Sequence, residues 1–223
     1  KKKLWKDLMN NELIKRILSS IILIPIALFF IVKGTYYFNF FILICFVITA
    51  YEWHMMSKKK SYHIFGFIFL IFSFYTVLYQ RNYDGDDNKI FLLIIITCIA
   101  TDIGGYIFGK IFKGPKLTKI SPNKTYAGMF GGLILAIISI NQFLNNLNFL
   151  GLGNNEEMSS QLFIIVLVIS LVSQVGDIIV SFFKRSSKIK NTGKIIPGHG
   201  GMLDRIDGMI FAFPFVFIIL KIL

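Results

Sequence analysis

Seven long apolar stretches dominate this chain, and they leave few folds open to it. A window scan places them at 17–33, 36–51, 62–80, 90–109, 125–143, 161–181 and 207–223. Each is close to the roughly 20 residues that a helix needs to cross the hydrocarbon core of a bilayer, which is about 30 Å thick. The alternating segments of about ten residues that a membrane β-barrel requires are absent from the sequence. We therefore predict an all-α, polytopic membrane helix bundle of about seven transmembrane helices. One or two more short or broken helices would fit between 100 and 130.

The positively charged residues predict how this bundle is oriented. Six Lys and Arg residues precede the first stretch, three follow the second, five follow the fourth and six lie between the sixth and the seventh, whereas the opposite side holds only four. By the positive-inside rule, the N-terminus is then cytoplasmic. The same bias accounts for the net charge of +12 without a nucleic-acid partner. We expect a multi-pass protein of the bacterial inner membrane.

Four of the twelve acidic residues stand out because they lie in or beside apolar stretches, whereas the other eight lie outside them or at their ends. Asp102 and Asp177 fall within the fourth and sixth stretches, and Asp204 and Asp207 open the seventh. With the predicted orientation, all four lie at a similar depth near the cytoplasmic side. Since ionisable residues inside a membrane mark functional sites by default, we predict one polar cavity that opens to the cytoplasm.

Cationic and hydroxyl side chains accompany these carboxylates. Ser181, Lys184 and Arg185 follow Asp177 at i+4, i+7 and i+8, which predicts one polar stripe on an otherwise apolar helix. Carboxylates beside cations fit a divalent metal that carries an anionic ligand, because Mg²⁺ combines one or two carboxylates with waters and substrate phosphate oxygens. Lys and Arg would neutralise the remaining phosphate charge. The alternative is direct Asp–Lys and Asp–Arg pairing that only holds the bundle together.

Clustered glycines suggest close approach of an anion to the backbone. One cluster surrounds His199 and the other lies in the fourth stretch, at Gly198, Gly200, Gly201 and at Gly104, Gly105, Gly109. Glycine allows backbone N–H groups to approach an anion. A plain turn is the alternative for each of them. The sequence contains no GxxxxGK[ST] motif, so a P-loop enzyme is excluded.

The stretch from 181 to 207, SFFKRSSKIKNTGKIIPGHGGMLDRID, resembles the signature of the phosphatidate cytidylyltransferases, or CDP-diacylglycerol synthases. The matching positions are Ser181, Lys184, Arg185, Lys190, Gly193, Pro197, His199, Gly200, Gly201, Asp204, Arg205 and Asp207. Upstream, TDIGGYIFGKIFKG and ISPNKTYAGMFGG are similar to further segments of the family, so the likeness covers residues 95–215. Asn191 stands where the family usually has Asp, and it keeps a carbonyl acceptor but loses the charge.

The resemblance implies that CTP and phosphatidate react to give CDP-diacylglycerol and pyrophosphate, with Mg²⁺ and a possible second cation. It implies metal ligation by Asp177 and Asp204. We assign catalytic roles to Lys184, Arg185, Asp207, His199 and Ser181, and nucleotide binding to Asp102, Lys124, Arg205, Gly200 and Gly201. The sequence also predicts three regions: a cytoplasmic or interfacial arm at 1–16, N-terminal transmembrane helices at 17–89 and a C-terminal catalytic region at 90–223.

Two other functions compete with this interpretation. A CTP-dependent polyprenol or phytol kinase would share the membrane helices and the nucleotide, but it would transfer the γ-phosphoryl group to an alcohol. A membrane transporter would use buried carboxylates spread through the depth of the bilayer, with substrate contacts at its midplane. The predicted partners are phosphatidate and CTP, and a homodimer is left open.

Overall fold

The computed structural model describes residues 21–22, 25–82, 89–149, 158–193, 195 and 200–222. Within these residues the chain forms α1 (Thr35–Ser57), α2 (His63–Asn82), α3 (Lys89–Phe112), α4 (Tyr126–Phe149), α5 (Ser160–Ser186), α6 (Leu203–Ile206) and α7 (Met209–Ile222). Residues 25–32 are helical as well. The described ranges contain no strand, and an isolated bridge pairs Lys116 with Thr125. The predicted all-α fold is confirmed.

The predicted transmembrane stretches coincide with helices. The five helices from α1 to α5 are long and apolar enough to cross a membrane, with mean hydropathies between 1.5 and 2.5 over 18 residues. Helix α7 is apolar and shorter, at 14 residues. The first predicted stretch is helical over 25–32, and part of it lies outside the described residues. The whole predicted arm at 1–16 also lies outside them. The chain is therefore a multi-pass membrane helix bundle, and its orientation stays a prediction.

The connection between α3 and α4 is irregular rather than helical. In the described segment 113–125, backbone N–H groups of Leu117 and Tyr126 bond to the carbonyls of Lys124 and Pro115, at 2.8 and 3.2 Å. The Thr125 hydroxyl accepts a bond from the Gly128 N–H and so caps the start of α4. This compact turn replaces the extra short helix that the sequence allowed here, and it carries Lys124.

The helices divide into two compact units. Unit 1 comprises Lys1–Phe74 and Ser186–Ile206, and unit 2 comprises Tyr75–Arg185 and Asp207–Leu223. Each unit therefore combines two separate parts of the chain. The three regions predicted from the sequence, 1–16, 17–89 and 90–223, concern function rather than compactness and stay a prediction.

In unit 1, side chains near the α1–α2 turn fix the end of α1. The Trp53 indole N–H donates to the His63 carbonyl at 2.9 Å, and the Ser57 hydroxyl contacts both the Trp53 carbonyl and the His63 ring. The Trp53 ring fills the space where a side chain at Gly66 would begin. These contacts join the last turns of α1 to the first turn of α2. They therefore fix the position of the C-terminal end of α1.

In unit 2, a small-residue seam brings α3 and α4 into backbone contact. A Cβ at Gly104 would lie 2.5 Å from the Gly131 carbonyl oxygen, and one at Gly128 would lie 2.7 Å from the Gly105 carbonyl oxygen. Small residues allow such close approach between membrane helices, where packing drives association. The glycines of the fourth stretch thus allow close helix packing, and the anion-binding role that the sequence suggested for them stays a prediction.

Helix α5 packs against both the core of unit 2 and the start of α7. Its Val166 is fully buried in a cluster with Ala136, Ile140 and other apolar side chains of α3 and α4. In the C-terminal half of α5, Gly176 leaves room for the ring of Phe211, and Ser173 lies where a side chain at Gly208 would begin. This close packing places the beginning of α7 alongside the second half of α5.

Candidate active site

A buried carboxylate on α1 organises the signature loop in unit 1. Glu52 is 2% exposed. Its Oε2 accepts hydrogen bonds from the Thr192 hydroxyl and the Leu203 N–H, and its Oε1 accepts one from the Met202 N–H, each at 2.9 Å. The partners lie 140 to 151 residues further along the chain. The loop that the sequence analysis identified as a signature is therefore attached to the first half of the chain.

Asp204 closes the same loop from its other end. Its Oδ2 accepts the backbone N–H groups of Thr192 at 2.9 Å and of Gly201 at 3.0 Å. A carboxylate with two backbone donors is held in one orientation, because both bonds are charge-assisted. Asp204, predicted as a metal ligand, thus also has a structural role that the sequence analysis did not foresee.

The three described glycines of the signature are explained by these two carboxylates. A Cβ at Gly193 or at Gly201 would collide with the carboxylate of Glu52. Gly200 has a φ of 89°, and a Cβ there would lie 2.7 Å from Asp204 Oδ2. Positive φ of this kind favours glycine. Gly200 and Gly201, predicted to bind nucleotide, therefore have a demonstrated local reason to be glycine, and their contact with a nucleotide stays a prediction.

A cavity of about 390 Å³ lies beside this loop in unit 1. Its lining comes from the last turns of α1 and from the loop, and consists of Met55, Met56, Ile189, Asn191, Thr192 and Gly193. Asn191, the position where the family usually has Asp, is exposed and faces this space. The cavity combines thioether and aliphatic surface with one amide and with loop backbone.

A second group of predicted residues assembles in unit 2. The Lys124 ammonium forms a salt bridge with Asp177 Oδ2 at 2.5 Å, and the Ser181 hydroxyl donates to Asp177 Oδ1 at 3.4 Å. Lys124 comes from the irregular connection before α4, whereas Asp177 and Ser181 lie one turn apart on α5. The predicted stripe on this helix is confirmed as far as Ser181, which faces Asp177.

A second ion pair lies further along the same helix. Lys184 on α5 contacts Asp207 Oδ2 at 3.8 Å, and the two side chains are only 9% and 12% exposed. Asp207 Oδ1 also accepts the N–H of Gly208 at 3.0 Å. Because α7 begins directly after this turn, the packing of α7 against α5 is what brings Asp207 to Lys184.

These two ion pairs and Asp102 form one electrostatic cluster. Asp207 interacts with Asp177, Asp102, Lys184 and Lys124. With all five groups ionised, three carboxylates and two ammonium groups carry one excess negative charge. The direct ion pairs that were the alternative to a metal are thus present. A cluster of this kind can exchange its internal partners for a cation and a phosphate, since both signs of charge are available.

The carboxylate oxygens of unit 2 fit a Mg²⁺ site whose coordination is completed by phosphate oxygens of a substrate. Among the described residues, no three His, Cys, Asp or Glu side chains form a ready-made metal cage. Mg²⁺ does not need one, because it keeps several waters and binds through one or two carboxylates together with phosphate oxygens. Asp177 is partly exposed and already holds a cation, the Lys124 ammonium, so its carboxylate is accessible to a charged ligand.

The remaining predicted residues have different positions. Arg185 and Arg205 are exposed, and Asp102 is exposed on α3. His199 lies outside the described residues. Asp177 belongs to unit 2 and Asp204 to unit 1, so their predicted joint ligation of one metal centre stays a prediction.

Glu52 is the functional candidate that sequence reasoning missed. It directly follows the second predicted stretch, 36–51, and is one of the eight acids that lie outside the apolar stretches or at their ends. Helix α1 extends to Ser57, so Glu52 lies inside the helix, one turn and more before its end. The available signal was a carboxylate at the predicted cytoplasmic end of a span, flanked by Tyr51 and Trp53 in an otherwise apolar context.

The comparison with known proteins identifies the family. The model of the cytidylyltransferase family matches residues 14–87 and 63–223, which together cover most of the chain. The chain belongs to the cytidylyltransferase family. As a family member it is an enzyme of the nucleotidyltransferase class, and the resemblance found in the signature is confirmed.

Relatives of this cytidylyltransferase match it over nearly its whole length. A phosphatidate cytidylyltransferase of Rickettsia felis is 33% identical over 227 residues, which cover 98% of this chain and 96% of the relative. A phosphatidate cytidylyltransferase of Staphylococcus epidermidis is 32% identical over 189 residues, which cover 84% of this chain and 68% of the relative. The first 90 residues, which lie outside the stretch from 95 to 215 that carries the resemblance, are therefore part of the likeness.

Proposed function

We propose that this cytidylyltransferase transfers the cytidylyl group of CTP to phosphatidate, forming CDP-diacylglycerol and pyrophosphate. The observation that carries the proposal is the match to the Rickettsia felis phosphatidate cytidylyltransferase over 98% of the chain. The geometry supports it in unit 2, where Lys124, Asp177, Lys184 and Asp207 form two ion pairs. Such a set can bind phosphate groups and the cation that accompanies them.

In the proposed reaction, an oxygen of the phosphatidate phosphate attacks the α-phosphorus of CTP in line. The bond between the α-phosphorus and the oxygen that bridges to the β-phosphate breaks, and pyrophosphate leaves with that oxygen. The attacking phosphate is already a nucleophile, so no covalent enzyme intermediate is needed. Catalysis then depends on positioning and on neutralisation of charge.

Each predicted residue has a role in this scheme. Lys184 and Arg185 hold the leaving pyrophosphate or the lipid phosphate, and Ser181 keeps Asp177 oriented. Nucleotide binding is assigned to Asp102, Lys124, Arg205, Gly200 and Gly201. His199 belongs to the same signature and is assigned to catalysis with Asp207.

Asp177 and Asp204 would hold Mg²⁺, with Asp207 in support. The bound ion would supply positive charge to the phosphate oxygens of the substrates. When those phosphates bind, Lys124 and Lys184 can move from their carboxylate partners to phosphate oxygens. A second cation would fit the same excess of carboxylates in unit 2.

The proposed site faces the cytoplasm at the level of the lipid headgroups. Phosphatidate reaches it within the membrane, and CTP arrives from the cytoplasm. The supporting observation is the distribution of Lys and Arg, which places the connections after the fourth and sixth predicted stretches on the cytoplasmic side. Both connections carry residues of the proposed site.

Two labelled forms of CTP test this function. The purified protein in detergent micelles is incubated with phosphatidate, Mg²⁺ and CTP that is labelled either at the α- or at the γ-phosphate. Cytidylyl transfer puts the α-label into the lipid and the γ-label into pyrophosphate. A polyprenol or phytol kinase would instead transfer the γ-label to an alcohol and release CDP. Absence of α-label from the lipid, with folded protein and both substrates present, would contradict the proposal.

A further inference from the structure

We propose that Glu52 is a positioning residue of the reaction: it holds the signature loop, and through that loop Asp204, in the geometry that catalysis needs. The inference rests on the proposed function. Glu52 lies on α1, far outside the stretch from 95 to 215 that carries the signature. Its three hydrogen bonds all go to the loop and to the residues that begin α6.

The first step of the argument is the cost of burying this charge. A carboxylate that is 2% exposed loses nearly all of its hydration, and such a loss is strongly unfavourable unless hydrogen bonds compensate it. Here the compensation comes from a hydroxyl and two backbone N–H groups. An apolar residue at this position of a membrane helix would avoid the cost, so the carboxylate serves a specific geometry rather than general stability.

The second step is that Thr192 couples Glu52 to Asp204. The Thr192 hydroxyl donates to Glu52 Oε2, and the N–H of the same residue donates to Asp204 Oδ2. Gly201, whose N–H is the other donor to Asp204, packs directly against the Glu52 carboxylate. Both groups that orient Asp204 are therefore themselves held by Glu52.

The third step is that Glu52 also joins two walls of the cavity in unit 1. Met55 and Met56 follow Glu52 by about one turn on α1, and they face Thr192 and Gly193 across the cavity. The hydrogen bond from Thr192 to Glu52 links the α1 wall to the loop wall. Loss of this link would allow the cavity and Asp204 to shift together.

Glutamine cannot replace glutamate in this position. Two oxygens of Glu52 serve three donors, whereas the Gln side chain has one acceptor oxygen and an amide group that is itself a donor. Whichever way the amide is turned, at least one backbone N–H of Met202 or Leu203 faces another donor. The shape of the residue is kept and only the acceptor pattern changes.

The experiment compares the turnover of five variants of the whole chain: three single variants and two double variants that contain Glu52→Gln. We expect Glu52→Gln to lower kcat for CDP-diacylglycerol formation by about 50- to 100-fold with little change in the KM for CTP, because displacement of a reacting group by about 1 Å costs roughly this much. Thr192→Val removes one of the same bonds and should cost about tenfold. The double variant should be no worse than Glu52→Gln within about a factor of two, because both substitutions break one shared interaction.

Thr49→Val provides the matched control. Thr49 is buried on the same helix one turn earlier, and its hydroxyl donates at 2.7 Å to the Cys45 carbonyl of its own helix. Its replacement should leave kcat within about twofold of wild type, and its effect should simply multiply with that of Glu52→Gln. A general loss of packing on α1 would instead affect both positions alike.

Hydrogen exchange supplies a readout that does not depend on activity. In Glu52→Gln, the amides of Met202 and Leu203 should exchange at least about tenfold faster, while those of α3 stay at wild-type rates. Should Glu52→Gln fail to fold, Thr192→Val provides the same test, with kcat and the exchange rates of the loop amides as its two readouts. Wild-type kcat in Glu52→Gln, equal acceleration of exchange in all helices, or multiplicative effects of Glu52→Gln and Thr192→Val would each overturn the inference. An inactive wild-type protein would overturn the proposed function, and the positioning role with it.

Discussion

Asp204 is predicted to have two roles, and two substitutions separate them. Its Oδ2 accepts two backbone N–H groups, from Thr192 and Gly201, at 2.9 and 3.0 Å, and its charge is assigned to the cation. Asp204→Asn keeps an acceptor oxygen of the same reach but removes the charge. Asp204→Ala removes both. The two variants should therefore differ in stability and agree in loss of activity.

The magnitude follows from the hydrogen bonds. A buried donor without an acceptor costs about 1–3 kcal/mol. Thr192 and Gly201 are both buried, so the loss of an acceptor for both donors in Asp204→Ala should lower the free energy of unfolding by about 2–6 kcal/mol. In Asp204→Asn both donors keep an oxygen and lose only the charge assistance, which should cost about 1 kcal/mol. Turnover should fall by at least about 100-fold in both, since the anionic group assigned to the cation is lost.

The assay is denaturant unfolding of the purified variants in the same detergent, with CTP-dependent lipid labelling measured in parallel. Equal stability of Asp204→Ala and wild type would refute the assignment of Asp204 as acceptor for the loop. Near-wild-type turnover of Asp204→Asn would refute its role at the cation. Equal and large destabilisation of Asn and Ala would show that the charge, rather than the acceptor oxygen, holds the loop.

Two further predictions concern unit 2. Lys184→Met leaves the buried Asp207 without its partner at 3.8 Å, so it should destabilise the protein by about 3–5 kcal/mol. The double variant Lys184→Met, Asp207→Leu should recover most of this stability in the unfolding assay but none of the activity, and an equally unstable double variant would contradict the pairing. Gly104→Ala places a Cβ 2.5 Å from the Gly131 carbonyl oxygen, so it should cost about 1–3 kcal/mol through overpacking. At the adjacent Gly105, a new Cβ would lie 3.7 Å from the Gly128 carbonyl oxygen, so Gly105→Ala should be neutral or slightly stabilising. Equal effects of the two substitutions would argue against the close α3–α4 seam.

The helices and several site residues could be predicted from the sequence because the signals for them are local. Apolar runs of about 20 residues specify membrane helices directly, and spacing on α5 identified Asp177, Ser181 and Lys184 as a related group. The interaction of Asp207 with Asp177 and Asp102 was expected from the similar depth predicted for these carboxylates. These inferences need only the helical repeat and the hydrophobicity of each stretch.

The attachment of the loop to α1 could not be predicted, because no local pattern specifies it. Glu52 and Leu203 are 151 residues apart, and a single carboxylate at the end of an apolar run has many ordinary explanations. The glycines show the same limit. Gly104 and Gly201 both lie in glycine clusters of the sequence, but a side chain at Gly104 would collide with the backbone of a neighbouring helix, whereas one at Gly201 would collide with a buried carboxylate.

The exchange of labelled pyrophosphate into CTP tests the central claim of direct cytidylyl transfer between CTP and phosphatidate. The purified protein is incubated with Mg²⁺ and labelled pyrophosphate, either with CDP-diacylglycerol or with CTP alone. The account predicts labelled CTP only when CDP-diacylglycerol is present, because pyrophosphate must attack the lipid-linked cytidylyl group. Label in CTP without any lipid would reveal a covalent cytidylyl-enzyme, and failure to form CTP from CDP-diacylglycerol by protein that is folded would contradict the proposed reaction.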